Sequence, residues 1–404
     1  MKRRLLPILM TLVLVCALPI WAAFVTSGDV TNPLVCTAGA TSSEESAVDK
    51  LKLAISRGVD AQLTEDIEIT QTLYVERSMT IDLNGHVLKM TGDGSVLRVK
   101  KDPHPVTLTI TDSRPQNPHG SYAGLPAGGV ITGGKADKGG GILLDGGCTL
   151  KLTGGCITDC HATDTGGGGV VLNGNTAILY MSGTARIENC TAGEVWGANA
   201  IFNFGTMYAD GGTVDGTVNN QGTIRLSEGA AAETVFNGTV YNRSAGTIKA
   251  GRYNETVENK GTITGGTFCG GVTNDGGTIE DGAYETVKFN SDNGAQAKEE
   301  KVLRGQKVPN PAAPTKSGHT FTGWCLGGEK YNFDTPVTAP LTLTAKWEKV
   351  PSSGGYYYYQ PTTDTKTTDT KGSPKTFDAG IALYVGMALT SAAGVAFVGK
   401  KRED

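Results

Sequence analysis

Histidine, aromatic residues and surplus positive charge are all scarce in this 404-residue chain. There are five histidines, aromatics make up 7%, and Lys plus Arg (36) fall short of Asp plus Glu (40). A net charge of −4 argues against nucleic acid or an anionic membrane surface as partner. Cysteine is thinly spread. One of the eight, Cys16, lies in an apolar leader, and Cys36, Cys148, Cys156, Cys160, Cys190, Cys269 and Cys325 remain. An odd, scattered set is no disulfide framework for an exported chain of this length. Buried free thiols are expected, with a bridge or two within Cys148, Cys156, Cys160 and Cys190 as the alternative. Helical periodicity is also missing for most of the chain.

What is abundant is glycine, 57 residues, roughly twice ordinary usage. The two ends are apolar. Lys2, Arg3 and Arg4 precede an apolar stretch reaching about Ala23, the layout of a secretory signal over residues 1–23. At the other end Ala379–Gly399 carries no charge and is followed by Lys400, Lys401 and Arg402. Such a run is long enough to cross a bilayer as a helix, with the basic tail as a cytoplasmic stop. The expected location is the cell surface, with the body extracellular.

Residues 42–57 read as one helix. Ser42 and Glu45 form a capping-box pattern, Val48, Leu51 and Ile55 share a face, and Gly58 stops it. Short alternating strands with Gly, Asn and Asp between them follow to about residue 290. A long unit begins at Gly139 and again at Gly167, and a shorter one at Gly246, Gly261 and Gly277. Each short unit holds Gly-Thr-Ile, an aromatic (Tyr253, Phe268, Tyr284) and a valine (Val257, Val272, Val287). Stacked repeats of this size predict a mainly β fold: a parallel β-helix over 42–290, capped by the N-terminal helix. The stretches Ile81–Met90 and Gly128–Gly147 resemble pectin-lyase-like right-handed parallel β-helices of bacterial surface proteins.

Composition shifts near residue 290. Pro314, Gly318, Phe321, Gly323, Trp324, Tyr331, Phe333, Pro336, Val337, Leu343 and Trp347 give residues 300–350 a resemblance to an internalin-B-type B-repeat, a small β-rich module. Phe321, Trp324, Phe333 and Trp347 are its expected core, because a core this small depends on its aromatics. Residues 351–372, with Tyr356–Tyr359 and a Thr/Asp/Lys-rich run, read as a disordered spacer.

Residues 373–404 resemble a Gram-positive sortase sorting signal. Ser373, Pro374, Lys375, Thr376 and Phe377 stand where the transpeptidase motif would be, ahead of the apolar run at 379–399. The resemblance implies cleavage after Thr376 and transfer of Thr376 to peptidoglycan, so the partners are a sortase and the wall. Phe377 departs from the glycine usual in that place. A plain membrane anchor is the alternative.

The β-helix fold also hosts pectate lyases and polygalacturonases, so catalysis has to be tested on residues. The chain has no Gly-His-Gly and no Asp-Asp pair, and His86, His104, His119, His161 and His319 lie far apart. Asp145, Asp159, Asp164 and Asp210 could approach one another across coils as the calcium-binding cluster of a lyase, but Asp beside Gly reads as turn chemistry. Cys156, Cys160 and His161 lack the partner pair of a zinc site, and Gly139–Gly141 and Gly166–Gly169 lack the Lys-Ser/Thr of a phosphate loop. No catalytic residue, metal or cofactor is expected. The sequence predicts a noncatalytic adhesin or a glycan- or host-binding stalk, with a surface polysaccharide lyase or hydrolase as the alternative. Tyr180, Trp196, Phe202, Phe204 and Tyr208 either line a groove or fill the core.

Overall fold

The computed structural model describes residues 34–36, 45–164, 166–193 and 198–351. The signal segment, the spacer with Tyr356–Tyr359, the motif Ser373–Phe377, the run at 379–399 and Trp196 lie outside the described residues. Among the described residues no helix is long and apolar enough to cross a membrane. The chain divides into two units, residues 1–350 and 351–404, and all the described elements belong to the first.

The chain winds through short parallel strands that stack in three long columns and one short one (Lys135–Ala136, His161–Ala162 and Thr191–Ala192), the arrangement of a parallel β-helix. The first column runs from Ala61–Leu63 through Met79–Asp82, Thr107–Thr111 and Thr149–Leu152 to Thr278–Ile279. The second runs from Ile67–Ile69 to Thr267–Phe268. The third runs from Leu73–Val75 to Val272–Asn274. Two long strands, Ile178–Glu188 and Thr206–Val214, run from the first column into the second, with the register between them shifting at Gly183–Arg186.

Register makes ladders. In the third column Leu73, Leu97, Ile142, Val170, Ile201, Val218, Val240 and Val257 stack inward, all buried. Two residues on, Val75, Val99, Leu144 and Leu172 form a second aliphatic ladder. At Asn203 that ladder changes chemistry. Asn203, Asn220, Asn242 and Asn259 are buried there, and each donates through Nδ2 to the Oδ1 of the next, ending on Asn274, at 2.7–2.8 Å. Backbone carbonyls of Thr223, Thr247, Thr262 and Thr278 take a second bond at 3.3–3.4 Å. Each amide is thus satisfied inside the stack, which is what burying it requires. In the second column Ile131, Ile157, Ile187 and Val214 give way to Phe236, Tyr253 and Phe268. Their rings stack at 4.9 and 5.1 Å, nearly parallel. Flat rings fit coils of this small girth because neighbouring copies lie one strand spacing apart.

The helix spans Ala47–Arg57, capped by Ser46, whose Oγ accepts from the Asp49 N–H, and stopped by Gly58 at φ +67. The start expected at Ser42 is therefore replaced by Ser46, whose side chain meets the first turn directly. Leu51, Ala54 and Ile55 are buried against the stack. The strand Leu34–Cys36 pairs with Ala61–Leu63 and adds one rung to the first column.

At the far end a five-stranded sheet closes the unit. Its strand order is Lys298–Leu303, Tyr284–Asn290, Leu341–Lys349, His319–Leu326, Glu329–Lys330. The repeat spacing assigns Tyr284–Asn290 to the β-helix, but the strand pairs instead with Lys298–Leu303 and Leu341–Lys349, and Val287 packs in the core of the small sheet. Residues 291–297 are the turn between its first two strands rather than a boundary between domains. Trp324 is 4% exposed, while Phe321, Phe333 and Trp347 are partly buried around it. Phe289 and Phe321 meet Trp324 edge-on at 5.0 and 5.5 Å, and Trp347 Nε1 donates to the Ser291 carbonyl at 3.0 Å.

Candidate binding cleft

The cleft arises from one long connection. Between Thr107–Thr111 and Val130–Thr132 the chain leaves the stack and returns across the outside of the second column. Asp112 pins both ends of this excursion. Its Oδ1 accepts from Gly85 and Arg114 N–H at 2.8 and 3.2 Å, and its Oδ2 from Gly129 N–H at 2.7 Å. Asn117 Nδ2 donates to the Gly85 carbonyl at 2.8 Å. Tyr122 and Leu125 pack on outward-facing Val87, Val130 and Cys156. The Tyr122 hydroxyl donates to Glu68 at 2.9 Å, and Lys89 lies 4.9 Å from its ring centroid. The hydrogen bond from Tyr122, then that from Lys89, hold the Glu68 carboxyl below its usual range.

Between this flap and the corner of the stack lies a cleft of about 380 Å³, within the range of small-ligand sites. Pro115, Gln116 and Ala127 form the flap wall, and Thr184, Ala185, Arg186 and Thr213 the stack wall. Successive corners supply the floor through Gly155, Gly183 and Gly212, at φ +77, +61 and +77. A Cβ on Gly183 would sit 2.4 Å from the Thr153 carbonyl oxygen, so the turn needs glycine. Arg186 crosses the cleft, donating to the Ala127 carbonyl at 3.0 Å and lying 3.6 Å from Glu188. Among the described residues none is bonded to the side chains of Gln116, Thr184 or Thr213. The single lining carboxylate, Asp112, is engaged by three backbone N–H groups. The arrangement offers hydroxyls, an amide and a guanidinium for hydrogen bonding. Asp112 is the one carboxylate among the described residues that line it, and Glu188 stands behind Arg186.

The acids singled out in the sequence do not come together. Asp145 takes a bidentate ion pair from Arg98 at 3.0–3.3 Å on the third column. Asp210 accepts from the Ser227 N–H and hydroxyl at 2.8 and 2.6 Å on the first. Asp159 occupies a left-handed turn at φ +50. No group of three or more potential metal ligands occurs among the described residues.

Cys148, Cys156, Cys160 and Cys190 are all buried free thiols. Burial pushes the Cys148 and Cys156 thiols up. Cys160 is raised by its contact with Cys190 and then by burial.

The aromatic candidates divide. Tyr180 and Tyr208 face outward from the first column, half-buried, their rings stacked at 4.4 Å and 3°. Lys151 lies 5.9 Å from the Tyr180 ring and Arg225 5.4 Å from that of Tyr208. Both ring faces are thus taken, and the pair offers a sugar only edges. Phe202 is buried outside the third column with Val171 and Ala198, with the half-exposed Phe204 stacked on it at 4.7 Å. Local sequence patterns do not point to the flap. For the ladder a signal exists: Asn203, Asn220, Asn259 and Asn274 each stand two residues before a glycine, and Asn242 four before one.

Residues 286–346 match the family described as the Listeria-Bacteroides repeat domain. Two curated proteins of Evansella cellulosilytica, one named a Gly-rich membrane protein and the other a membrane protein, are each 39% identical over 67 residues. That stretch is 16% of this chain and 8% and 10% of theirs, so the chain spans only a small part of either relative. No solved structure matches.

Proposed function

We propose that this protein is a wall-anchored binding stalk of a Gram-positive cell surface, with a pectin-lyase-like solenoid that holds a glycan without cleaving it. The observation that carries the reading is the cleft: Gln116, Thr184, Arg186 and Thr213 converge beside a single, fully engaged carboxylate. Sugars are bound by such arrays of hydroxyls and amides, whereas glycoside hydrolysis calls for two carboxylates flanking the bond. A repeat domain of surface proteins at the base of the stack, and a sorting-type C-terminus that would transfer Thr376 to peptidoglycan through a sortase, fit display outside the cell.

The test uses the full chain displayed on cells and in detergent, incubated with pectins, host glycans and mucins, following retention and product release together. Retention without turnover is expected. Release of unsaturated or reducing ends, with or without calcium, would overturn the reading in favour of a lyase or hydrolase. Mass spectrometry of wall fragments tests the anchor separately, with a C-terminal peptide ending at Thr376 as the expected product.

A further inference from the structure

We infer that the repeat module is a mechanical clamp, loaded in shear when the solenoid is held at one end and the C-terminus at the other. The inference uses the tethered reading only for its biological purpose. The geometry stands by itself.

The chain enters the module from the solenoid directly into the strand Tyr284–Asn290 and leaves from the strand Leu341–Lys349. These two strands are neighbours and run parallel, with Val287, Lys288, Phe289 and Asn290 opposite Leu341, Thr342, Leu343 and Thr344. Tension from the solenoid pulls the inbound strand back from its N-terminal end. Tension from the tail pulls the outbound strand forward from its C-terminal end. Parallel neighbours drawn from opposite ends slide along each other, so every rung of the overlap carries load at once. Antiparallel neighbours drawn from adjacent ends open one rung at a time, because their bonds lie perpendicular to the strands and in line with the pull.

Two further features support the joint. The outbound strand is central, held on its other side by His319–Leu326. The strand on the far side of the inbound one, Lys298–Leu303, is tied at its end to the solenoid: Phe268 N–H donates to the Arg304 carbonyl at 2.7 Å, and Arg304 N–H donates to the Ala283 carbonyl, just ahead of the inbound strand, at 3.0 Å. Arg304 Nε also pairs with Glu285, 8% exposed, at 2.6 Å. Phe289 and Leu343, opposite each other in the overlap, are both buried in the module core. Sliding must therefore drag packed side chains as well as break bonds.

Single-molecule pulling tests this on the full chain in detergent. One handle stays at the C-terminus. The other is inserted either at Gly276 or at Gly318, turn positions with nothing within 4 Å of a Cβ. The Gly276 handle loads the parallel pair in shear. The Gly318 handle opens the His319–Leu326 and Leu341–Lys349 pair from adjacent ends, since Val350 N–H bonds the Gly318 carbonyl there. Rupture force with the Gly276 handle is expected to be at least about twice that with the Gly318 handle. Equal forces, or a weaker Gly276 geometry, would overturn the clamp. A handle placed ahead of Ala47 needs no insertion in the module and gives a second measurement. There the solenoid coils should release before the extension belonging to residues 284–349, and a module that yields first would also overturn it. Neither readout depends on sortase or on a glycan, so the clamp and the binding-stalk reading fail separately.

Discussion

Asn220 Nδ2 donates to Asn242 Oδ1 at 2.8 Å across two neighbouring coils, and both side chains are wholly buried. The bond is one step of a ladder in which each amide accepts from the coil before and donates to the coil after. Asn242→Ala would leave the Asn220 donor and the Asn259 acceptor each short of a partner. At about 1–3 kcal/mol for each buried group left unpaired, a loss of about 2–6 kcal/mol is expected. Asn274→Ala, at the exposed end of the ladder, should cost under about 1 kcal/mol. Urea denaturation of the two variants checks the difference, and a similar loss at both positions would contradict a cooperative buried ladder.

The raised thiols give a dependence on pH. Cys156 and Cys160 are protonated in the folded protein at pH values where an unfolded thiol ionises. The unfolded state then binds fewer protons than the folded one, so stability is fully present below about pH 8.5 and falls as pH rises beyond it. The fall is expected to be at most about 1.4 kcal/mol per pH unit for each thiol. Cys156→Ala should flatten the profile between about pH 8.5 and 10 even though it lowers stability at neutral pH. An unchanged slope would show that this thiol ionises in the folded state. Alkylation of the native protein at about pH 8 should spare both residues and reach them after unfolding.

The repeat units beginning at Gly246 and Gly261 are legible because each coil there carries the same Thr-Ile, aromatic and valine at the same phase. Stacking in register converts that phase directly into ladders. The third unit keeps the phase yet leaves the solenoid. Tyr284 and Val287 satisfy the repeat pattern, but the strand they lie on pairs with Leu341–Lys349, a partner more than 50 residues away that no local period reports. The asparagine ladder is visible as letters, yet Asn beside Gly usually belongs to corners. Burial separates the two roles, and a single sequence does not display burial. The cleft is least legible of all. Its flap is held by Asp112, whose bonds go to backbone groups of three different segments, and its floor is glycine, which carries no side-chain signal.

The cleft and the tyrosine stack make opposite predictions for ligand retention. Arg186→Gln and Gln116→Ala each remove a group that reaches into the cleft without contributing to the buried core. Each should lower glycan retention about tenfold, the worth of one hydrogen bond to a charged or amide group, with little change in melting temperature. Tyr208→Ala should leave retention unchanged, because Tyr180 and Arg225 already occupy the faces of that ring. Titration of the three variants with the same glycan separates the sites. Loss on Tyr208→Ala alone would move the binding surface to the first column.

The base of the module also closes the solenoid. Phe268 N–H bonds the Arg304 carbonyl, the Gln306 amide donates to the carbonyls of Phe268 and Cys269, and Leu303 packs against the solenoid core. Gly305, at φ +93, lets this segment press onto the Phe268 backbone, where a Cβ would sit 2.8 Å from its nitrogen. Without that cover the last strand of the second column presents open N–H and C=O groups beside the ring of Phe268, a template for pairing with another chain. A chain ended at Ala283 is therefore expected to self-associate through this edge, while one ended at Val350 stays monomeric at the same concentration. Gln306→Ala, which keeps the module but removes two of the bonds, should weaken the cap by about 1–3 kcal/mol without exposing the edge. Sedimentation velocity distinguishes the three. If the chain ended at Ala283 sediments as a folded monomer, the edge is protected by something other than the module, and the module's contact with Phe268 is packing alone.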